Sequence, residues 1–402
     1  MKVSIFSNEY PPYTYGGAGV HVEYLSRELA KLMHVDVRCF GDQRIHEDNL
    51  QVRGFELDSS HYECPKSLVS VFGAIQRGLD FNTSGLDADL VHCHTWYTHL
   101  AGILAKLNYG LPLVITTHSL EPLRPWKREQ LGGGYDFSLW VERTALTMAD
   151  AVIAVSHGTK HDILQNFPVS EDKIHVIHNG IDLTEYQKRD SMKALQHYGI
   201  DASTPYVLFV GRITRQKGII YLVQAIEHLN PGYQVVLCAG APDTPEIETE
   251  MKTAVNDASC QRPGVIWIRE MLDKTSLIEL YSHAAVFCCP SIYEPFGIIN
   301  LEAMACETAV VASAIGGIPE VVVDGETGIL VPLQQLSTSP FTPSNPAQFS
   351  QDLARAINQL MNDEPLRRRL ARAGRARAEE KFSWAAIAQQ TTTLYRQLLA
   401  TP

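Results

Sequence analysis

Two cations near the middle of the chain have the spacing expected of a site for a phosphorylated leaving group. Arg212 and Lys217 lie in the sequence FVGRITRQKG, directly after an apolar run of strand length. Two cations that converge on one point can neutralise the charge that develops on a departing diphosphate. Basic residues in such a loop are often only solvated, so this interpretation depends on further residues.

Two carboxylates later in the chain support it. Glu294 and Glu302 lie in PSIYEPFGIINLEAMAC, where a Pro-Phe-Gly step indicates that a helix begins near Ile298. The N-terminus of that helix would attract a phosphate, and carboxylates on either side would accept hydrogen bonds from hydroxyl groups. The four residues together predict a site for a sugar attached to a diphosphate.

Paired carboxylates are also typical of a glycosidase, in which one is the acid and the other the nucleophile. Such an enzyme would not require Arg212 and Lys217 near the leaving group, whereas transfer from a nucleotide-sugar would. A non-catalytic sugar-binding protein is a third interpretation, but it has no need for Arg212, Lys217 and Glu294 together. We therefore favour glycosyl transfer.

A glycine-rich turn near the N-terminus is a second candidate phosphate site. Gly16, Gly17 and Gly19 open a helix that is predicted to begin near Val20. Backbone N–H groups at such a turn suit a phosphate or a sugar diphosphate. A tight structural turn explains the glycines equally well, because the spacing is not that of a dinucleotide-binding turn.

Two further segments of the first half carry candidate binding residues. His92, His94 and His99 have a spacing that fits no common metal-ligand set, so we interpret them as core or pocket histidines and expect no catalytic metal and no cofactor. The segment THSLEPLRPWKREQLGGGY, which begins at Thr117, has the length and the prolines of a binding loop on a rigid scaffold. An ordinary solvated loop is the alternative.

Short apolar runs that alternate with helix-period segments must position these residues. Buried strands that alternate with helices predict two doubly wound α/β domains with parallel sheets, and ligands of such domains bind at the carboxyl ends of the strands. In the first half the predicted strands are Val3–Ser7, Val35–Phe40, Leu90–Cys93, Leu113–Thr117, Ala151–Val155 and His175–Ile177. In the second half they are Tyr206–Val210, Gln234–Ala239, Val265–Ile268, Ala285–Cys289, Ala309–Ala312 and Gly328–Val331.

The polar stretch 184–204 predicts where one domain ends and the next begins. We expect a first domain over residues 1–190, completed by an amphipathic C-terminal helix over 384–402, and a second domain over 204–383. Six arginines between Pro365 and Glu379 are interpreted as a solvated helix face rather than a nucleic-acid patch.

Length and composition limit the function classes. A chain of 402 residues predicts two domains, and a net charge of −11 disfavours binding to nucleic acid or to an anionic membrane. No run approaches the roughly 18 apolar residues of a membrane span. Eight scattered cysteines in apolar segments indicate reduced thiols, so we expect a cytoplasmic protein. The sequence leaves a monomer and a homodimer open.

Taken together, these motifs resemble the retaining glycosyltransferases of family 4. EPFGIINLE is similar to the Glu-x7-Glu motif of that family, and GRITRQKG to its Arg/Lys phosphate clamp. SNEYPPYTYGGAGVHV, VHCHTWYTHLAG, the segment from Thr117 and VIHNGID resemble, more narrowly, the actinobacterial-type glycogen synthase group. The resemblance covers nearly the whole chain. It implies the GT-B architecture, in which two facing Rossmann-like domains enclose an interdomain cleft.

The resemblance implies ADP-glucose as donor and transfer, with retention, to the 4-hydroxyl of an α-glucoside. The acceptor is glucose 1-phosphate, which would give α-maltose 1-phosphate, or an α-glucan, as in glycogen synthesis. A sucrose or lipid-sugar glucosyltransferase of the same family is a further alternative, but it would share the Glu-x7-Glu motif without the 119–135 segment. A lipid acceptor would also favour a basic or amphipathic patch in the first domain, and none is evident in the sequence.

The candidate site residues fall into three sets, of which the catalytic and donor-binding sets are carried over from the family. The acceptor-binding set comes from Glu9 and the basic segment after Thr117, which could bind the phosphate of glucose 1-phosphate or only border a glucan chain. The catalytic set is His118, Arg212, Lys217 and Glu294. The donor-binding set is Gly17, Asn179, Phe296, Gly297, Ile298, Glu302 and Arg269. The acceptor-binding set is Glu9, Arg124, Lys127 and Arg128. Within the donor set, Glu302 would hold the ribose, and the strand end at Arg269 would receive the adenine.

The sequence departs from the longer glycogen synthases of family 5 at two motifs. Where those have Lys-x-Gly-Gly and His-x-His-Asp-Trp, this chain has Tyr15-Gly16-Gly17 and His92-Cys93-His94-Thr95-Trp96, without the lysine and the aspartate. Donor and acceptor details are therefore not transferred from family 5. Glu9 is proposed as an acceptor-side carboxylate instead, with a solvated turn residue as the alternative.

Overall fold

The chain forms two compact units in the computed structural model, which describes residues 1–14, 16–337 and 341–400. The first domain comprises Met1–Gly180 together with the chain from Trp384 onward, and the second comprises Ile181–Ser383. This division lies earlier in the chain than the expected end of the first domain at residue 190. The polar stretch 184–204 belongs to the second unit, where it includes a short helix, Lys193–His197.

The first domain is built on one eight-stranded sheet with the strand order β3-β4-β2-β1-β5-β6-β7-β8. All neighbours are parallel except β3, which pairs antiparallel with β4 at the edge. The strands are β1 (Lys2–Ser7), β2 (His34–Phe40), β3 (Arg44–His46), β4 (Leu50–Phe55), β5 (Leu90–His94), β6 (Leu113–Thr117), β7 (Ala151–Ala154) and β8 (Ile174–Val176).

Helices cover both faces of this sheet. They are α1 (Gly17–Ala30), α2 (Lys66–Thr83), α3 (Trp96–Tyr109), α4 (Lys127–Leu131), α5 (Gly134–Met148), α6 (His157–Asn166) and, after the second domain, α15 (Trp384–Ala400). Val3 and Ile5 of β1 are fully buried in a core that also contains Trp384 and Ile387 of α15. The opposite face is buried mainly against α2, α3 and α5. The apolar face of α15 is therefore part of the first domain's core.

The second domain has a six-stranded parallel sheet with the order β11-β10-β9-β12-β13-β14. Its strands are β9 (Tyr206–Arg212), β10 (Gln234–Gly240), β11 (Val265–Ile268), β12 (Val286–Cys289), β13 (Ala309–Ser313) and β14 (Gly328–Val331). Its helices are α7 (Lys193–His197), α8 (Ile219–Ala225), α9 (Pro245–Gln261), α10 (Lys274–His283), α11 (Ile298–Ala305), α12 (Ile318–Val321), α13 (Pro346–Asn362) and α14 (Glu364–Lys381). The predicted α/β class with parallel sheets is confirmed in both domains.

Short polar residues fix where several helices of the second domain begin. The side chains of Thr244, Asp273 and Asn345 accept hydrogen bonds from backbone N–H groups at the starts of α9, α10 and α13. Such caps satisfy donors that have no partner inside the helix. No helix in the described part of the chain is both long and apolar enough to cross a bilayer.

The arginine-rich helix α14 is less solvated than its sequence predicts. Arg375 donates to the backbone oxygens of Tyr186 and Ala305 at 2.8 and 2.6 Å, and Arg377 donates to that of Val321 at 2.9 Å. The interpretation as a wholly solvated face is therefore wrong for these two residues, which fasten α14 to neighbouring segments. A helical charge pattern cannot reveal such contacts, because their acceptors lie elsewhere in the chain.

Both sheets change strand order beside a central strand, and some of the candidate residues follow the strands at that point. In the first domain β1 lies between β2 and β5, and in the second β9 lies between β10 and β12. Loops at the carboxyl ends of strands on either side of such a point diverge and leave a crevice. Arg212 ends β9, and Glu294 lies in the loop after β12.

Candidate active site

In the second domain an ion pair forms the centre of the candidate site. The Nζ of Lys217 donates to Oε2 of Glu294 at 2.7 Å, and the Ser291 hydroxyl donates to the same oxygen at 3.1 Å. Burial is the largest single influence and lowers the pKa of Lys217, but the charge and hydrogen bond of Glu294, together with Cys289, raise it, so the pKa is raised overall. The ammonium group is therefore charged at neutral pH, as a site for a diphosphate requires.

Arg212 is the second cation of this candidate site. It forms an ion pair with Asp243, a residue in the loop after β10 that the sequence analysis did not identify. Both side chains are largely buried. An aspartate beside the end of a strand gives no signal of its own in the sequence, because its partner lies on another strand.

A second glycine turn supports the segment around Glu294. Gly316 has a φ of +56°, and a Cβ at this position would lie 2.1 Å from the backbone oxygen of Glu294. The N–H of Gly317 donates to that oxygen at 2.9 Å. Gly297 precedes α11 with a φ of +97°, which favours glycine. These glycines allow the Glu294 loop and the start of α11 to pack closely.

Glu302 of α11 is held by two tyrosines. Its Oε1 accepts a hydrogen bond from the Tyr186 hydroxyl at 3.1 Å, and its Oε2 accepts one from the Tyr281 hydroxyl at 3.0 Å. Burial raises the pKa of Glu302 to about 7, although both hydroxyl contacts lower it. The sequence analysis missed both tyrosines, since Tyr186 lies in a stretch that was interpreted as a linker.

The end of β11 forms a shallow recess in the same domain. It has a volume of about 510 Å³, and its lining includes Tyr198, Trp267 and Arg269. The guanidinium carbon of Arg269 lies 4.2 Å from the centre of the Trp267 ring. This planar, partly apolar surface is where the sequence analysis expects an adenine.

In the first domain four predicted or newly identified residues meet in one buried cluster. His118, after β6, lies with its Nε2 2.9 Å from Nδ1 of His94. The Nδ1 of His21 lies 2.6 Å from Oδ1 of Asn179. Burial lowers the pKa of His21 to about 4 and those of His94 and His118 well below 6.5. These three imidazoles are therefore neutral at physiological pH.

The other two histidines of the sequence motif do not take part in these hydrogen bonds, although the centre of the His92 ring lies 4.2 Å from that of His94. His92 uses both ring nitrogens, with its Nδ1 2.5 Å from the Tyr395 hydroxyl and its Nε2 2.7 Å from the Thr116 hydroxyl. His99 is buried on α3. His21, which the sequence analysis passed over, belongs to the cluster instead.

Glu9 contacts the glycine-rich turn. Its Oε2 accepts a hydrogen bond from the N–H of Gly16 at 2.7 Å, and a Cβ on Gly19 would lie 2.8 Å from the same oxygen. Gly17 is the first residue of α1. Glu9 thus contributes to the shape of the turn.

The three cations of the acceptor set lie on one segment and contact different partners. Arg124 donates to the Ser119 hydroxyl at 3.0 Å, the Nζ of Lys127 donates to Oε1 of Gln130 at 2.5 Å, and Arg128 pairs with Asp136 at 2.6 Å. Arg124 and Lys127 are largely buried, whereas Arg128 is exposed. The first two are therefore better placed than the third to act on a ligand in a desolvated environment.

Comparisons with known proteins add a family and a fold. Residues 15–185 match the family "Glycosyltransferase Family 4", and residues 190–338 match "Glycosyl transferases group 1". The chain is 48% identical to alpha-maltose-1-phosphate synthase of Mycolicibacterium smegmatis over the whole of both chains. It is 28% identical to glycogen synthase of Mycobacterium tuberculosis, over 98% of this chain and 94% of the other. The chain superposes on a solved structure, sucrose-phosphate synthase of Thermosynechococcus elongatus, with a TM-score of 0.79 and 26% sequence identity. The alignment covers 100% of both chains.

Proposed function

Because the chain belongs to glycosyltransferase family 4 and has the GT-B fold, we propose that it is a retaining α-1,4-glucosyltransferase of α-glucan metabolism. Its donor in this proposal is ADP-glucose and its principal acceptor is glucose 1-phosphate, so that the product is α-maltose 1-phosphate. The observation that carries the proposal is the full-length similarity to a maltose-1-phosphate synthase. The buried Lys217–Glu294 pair supports it from the chemistry of the site.

Arg212 and Lys217 supply the positive charge in the proposed mechanism. Both would contact the diphosphate of the donor, and the N-terminus of α11 at Phe296 and Ile298 would add backbone N–H groups. Glu294 would accept hydrogen bonds from hydroxyls of the donor glucose. Glu302 would do the same for the ribose, because its carboxylate is fixed by two hydroxyl donors.

The proposed reaction is a displacement on one face of the donor sugar. The bond from the anomeric carbon to the diphosphate oxygen breaks, and its electron pair leaves with ADP. The 4-hydroxyl of the acceptor attacks the same face, and its proton passes to the departing phosphate oxygen. Retention of configuration follows from attack on the face that the leaving group vacates. His118 lies beside the reacting centre in this scheme, and the cations stabilise the developing negative charge.

The acceptor phosphate is assigned to Arg124 and Lys127, because both are largely buried on the first-domain segment that resembles the glycogen synthase group. A glycogen synthase that acts on glucan ends is the second candidate, since the same segment could border a glucan chain. All eight cysteines are free thiols, which supports a place in the reducing cytoplasm.

The test is release of ADP from ADP-glucose with glucose 1-phosphate or glycogen as the only acceptor, followed by mass spectrometry of the products. We expect a disaccharide phosphate to form faster than glucan is extended, and UDP-glucose to react more slowly. Faster extension of glycogen would favour the second candidate. If no ADP is released with either acceptor, both candidate functions are contradicted.

A variant pair tests the acceptor site separately. Combined Arg124→Ala and Lys127→Ala should raise the KM for glucose 1-phosphate at least tenfold and leave the KM for ADP-glucose within about twofold. The control is Lys31→Ala, which removes an exposed cation of the same domain at the end of α1. An unchanged KM for glucose 1-phosphate in the double variant would refute this assignment.

A further inference from the structure

We propose that His21, His94 and His118 form a binding site for one divalent transition-metal ion of the Zn²⁺ class. One possible ligand nitrogen from each ring lies within 4.8 Å of those from the other two. The ring centres are 4.7 to 5.3 Å apart. The three residues come from α1, β5 and the loop after β6, so their convergence depends on the tertiary fold and cannot be deduced from local spacing.

Two of the rings have buried nitrogen atoms without a hydrogen-bond partner. The Nδ1 of His21 faces the Oδ1 of Asn179, which can only accept, so the proton of His21 lies on Nδ1 and its Nε2 offers a lone pair. This Nε2 and the Nε2 of His94 are both buried and unpartnered. The side chains are 2% and 0% exposed. A buried polar atom without a partner is costly, and a bound ion would remove that cost.

The hydrogen bond from His21 to Asn179 also has the form of an outer-shell contact in metal sites. A ligating histidine usually donates its second N–H to a carbonyl or carboxylate oxygen, which fixes the tautomer and the orientation of the ring. Asn179 would be a positioning residue for His21 in this sense. His118 is half-buried, so an ion could enter past its exposed side.

The donor set selects the class of ion. Three neutral imidazoles without a carboxylate suit Zn²⁺, Ni²⁺ or Cu²⁺ rather than Mg²⁺ or Ca²⁺, and three histidines with one open position are a known zinc arrangement. Tetrahedral binding at Zn–N distances of about 2.0 Å would bring the nitrogens to about 3.3 Å from one another.

This ion is not a catalytic cofactor in the proposed reaction. It would occupy His118, which we have placed beside the reacting centre, and would therefore inhibit transfer. That consequence rests on the proposed function, whereas binding of the ion does not. Zn²⁺ that binds tightly without inhibiting ADP release would contradict the role of His118 and leave the metal site intact.

The experiment is titration of the metal-free, full-length protein with Zn²⁺ by calorimetry, followed by X-ray absorption spectroscopy of the complex. We expect one ion per chain and three imidazole nitrogens at about 2.0 Å. The spectrum is measured on the unaltered protein, so its result does not depend on whether a variant folds. Fewer than three imidazoles at the ion, or no binding at micromolar Zn²⁺, would overturn the proposal.

Two substitutions sharpen the assignment. His94→Gln should weaken Zn²⁺ binding at least 100-fold, while His99→Gln should leave it unchanged, because His99 is an equally buried histidine outside the three. Asn179→Ala should weaken binding by about 10- to 100-fold, and Asn179→Asp should restore it, since either oxygen can accept from His21. Equal effects of His94→Gln and His99→Gln, in variants that melt like the unaltered protein, would count against the site.

Discussion

Tyr281→Phe should move the pH range over which the protein binds its donor. The substitution keeps the buried ring and deletes one of the two hydroxyl hydrogen bonds to Glu302. Those bonds favour the charged carboxylate, whereas burial disfavours it. Removing one bond therefore raises the pKa of Glu302 above its value of about 7.

The size of the effect follows from the strength of the bond. A hydrogen bond to a charged group contributes about 1.5 to 3 kcal/mol, and 1.36 kcal/mol corresponds to one pKa unit, so the pKa of Glu302 should rise by about 1 to 2. The ionised form, which in the proposed complex would accept from the ribose hydroxyls, predominates above the pKa. Donor affinity is therefore present above the pKa and is lost as the pH falls through it. In the variant this loss begins at a higher pH.

The assay is the affinity for ADP, measured by calorimetry between pH 6 and 9.5, together with the KM for ADP-glucose. The matched control is Tyr206→Phe, because Tyr206 is also buried in the second domain but its hydroxyl donates to the backbone oxygen of Leu280 at 2.5 Å. We expect the acidic limb of the profile to move up by about 1 to 2 pH units in Tyr281→Phe and to stay in place in the control. Superimposable profiles for Tyr281→Phe and the unaltered protein would refute the reasoning.

Two further predictions concern the Glu294 side of the site. Lys217→Ala should lower turnover at saturating ADP-glucose by about 10²- to 10³-fold, because it removes a preorganised charge at the leaving group; near-normal turnover would exclude that role. Gly316→Ala should raise the KM for ADP-glucose and lower the melting temperature, because its Cβ would displace the backbone of Glu294. The control Gly325→Ala has a similar φ of +71° but open space around the Cβ, so it should cost only about 1 to 2 kcal/mol and leave KM unchanged. Equal effects of the two alanines on KM would show that strain, not contact with Glu294, is responsible.

The sequence predicts the fold through its most apolar runs. Twelve strands follow from such runs, because a strand buried on both faces of a parallel sheet needs apolar residues throughout. The two strands that were missed differ in this respect. Leu50–Phe55 alternates buried and half-buried residues, and Arg44–His46 is a polar edge strand. Neither has the continuous apolar character of a strand that is buried on both faces.

The residues of the candidate site that lie in local motifs can be predicted from the sequence. The residues that contact them from distant parts of the chain cannot. Lys217 contacts Glu294 because β9 and β12, the strands that precede them, are neighbours in the sheet. Asp243 and Tyr281 have no local pattern that indicates their partners. Their positions depend on how the strands and helices are arranged in the folded domain. The spacing of residues along the chain does not reveal that arrangement.

The discontinuity of the first domain imposes an order on its folding during synthesis. Residues up to Gly180 leave the ribosome first, but the cover over the sheet face around Val3 and Ile5 is complete only when Trp384 and the rest of α15 have been made. The intervening domain can fold as a unit in that interval. A chain released before α15 would keep an apolar face open and be a substrate for chaperones and proteases. The core of the first domain is therefore completed only after the ribosome has translated the whole of the second domain.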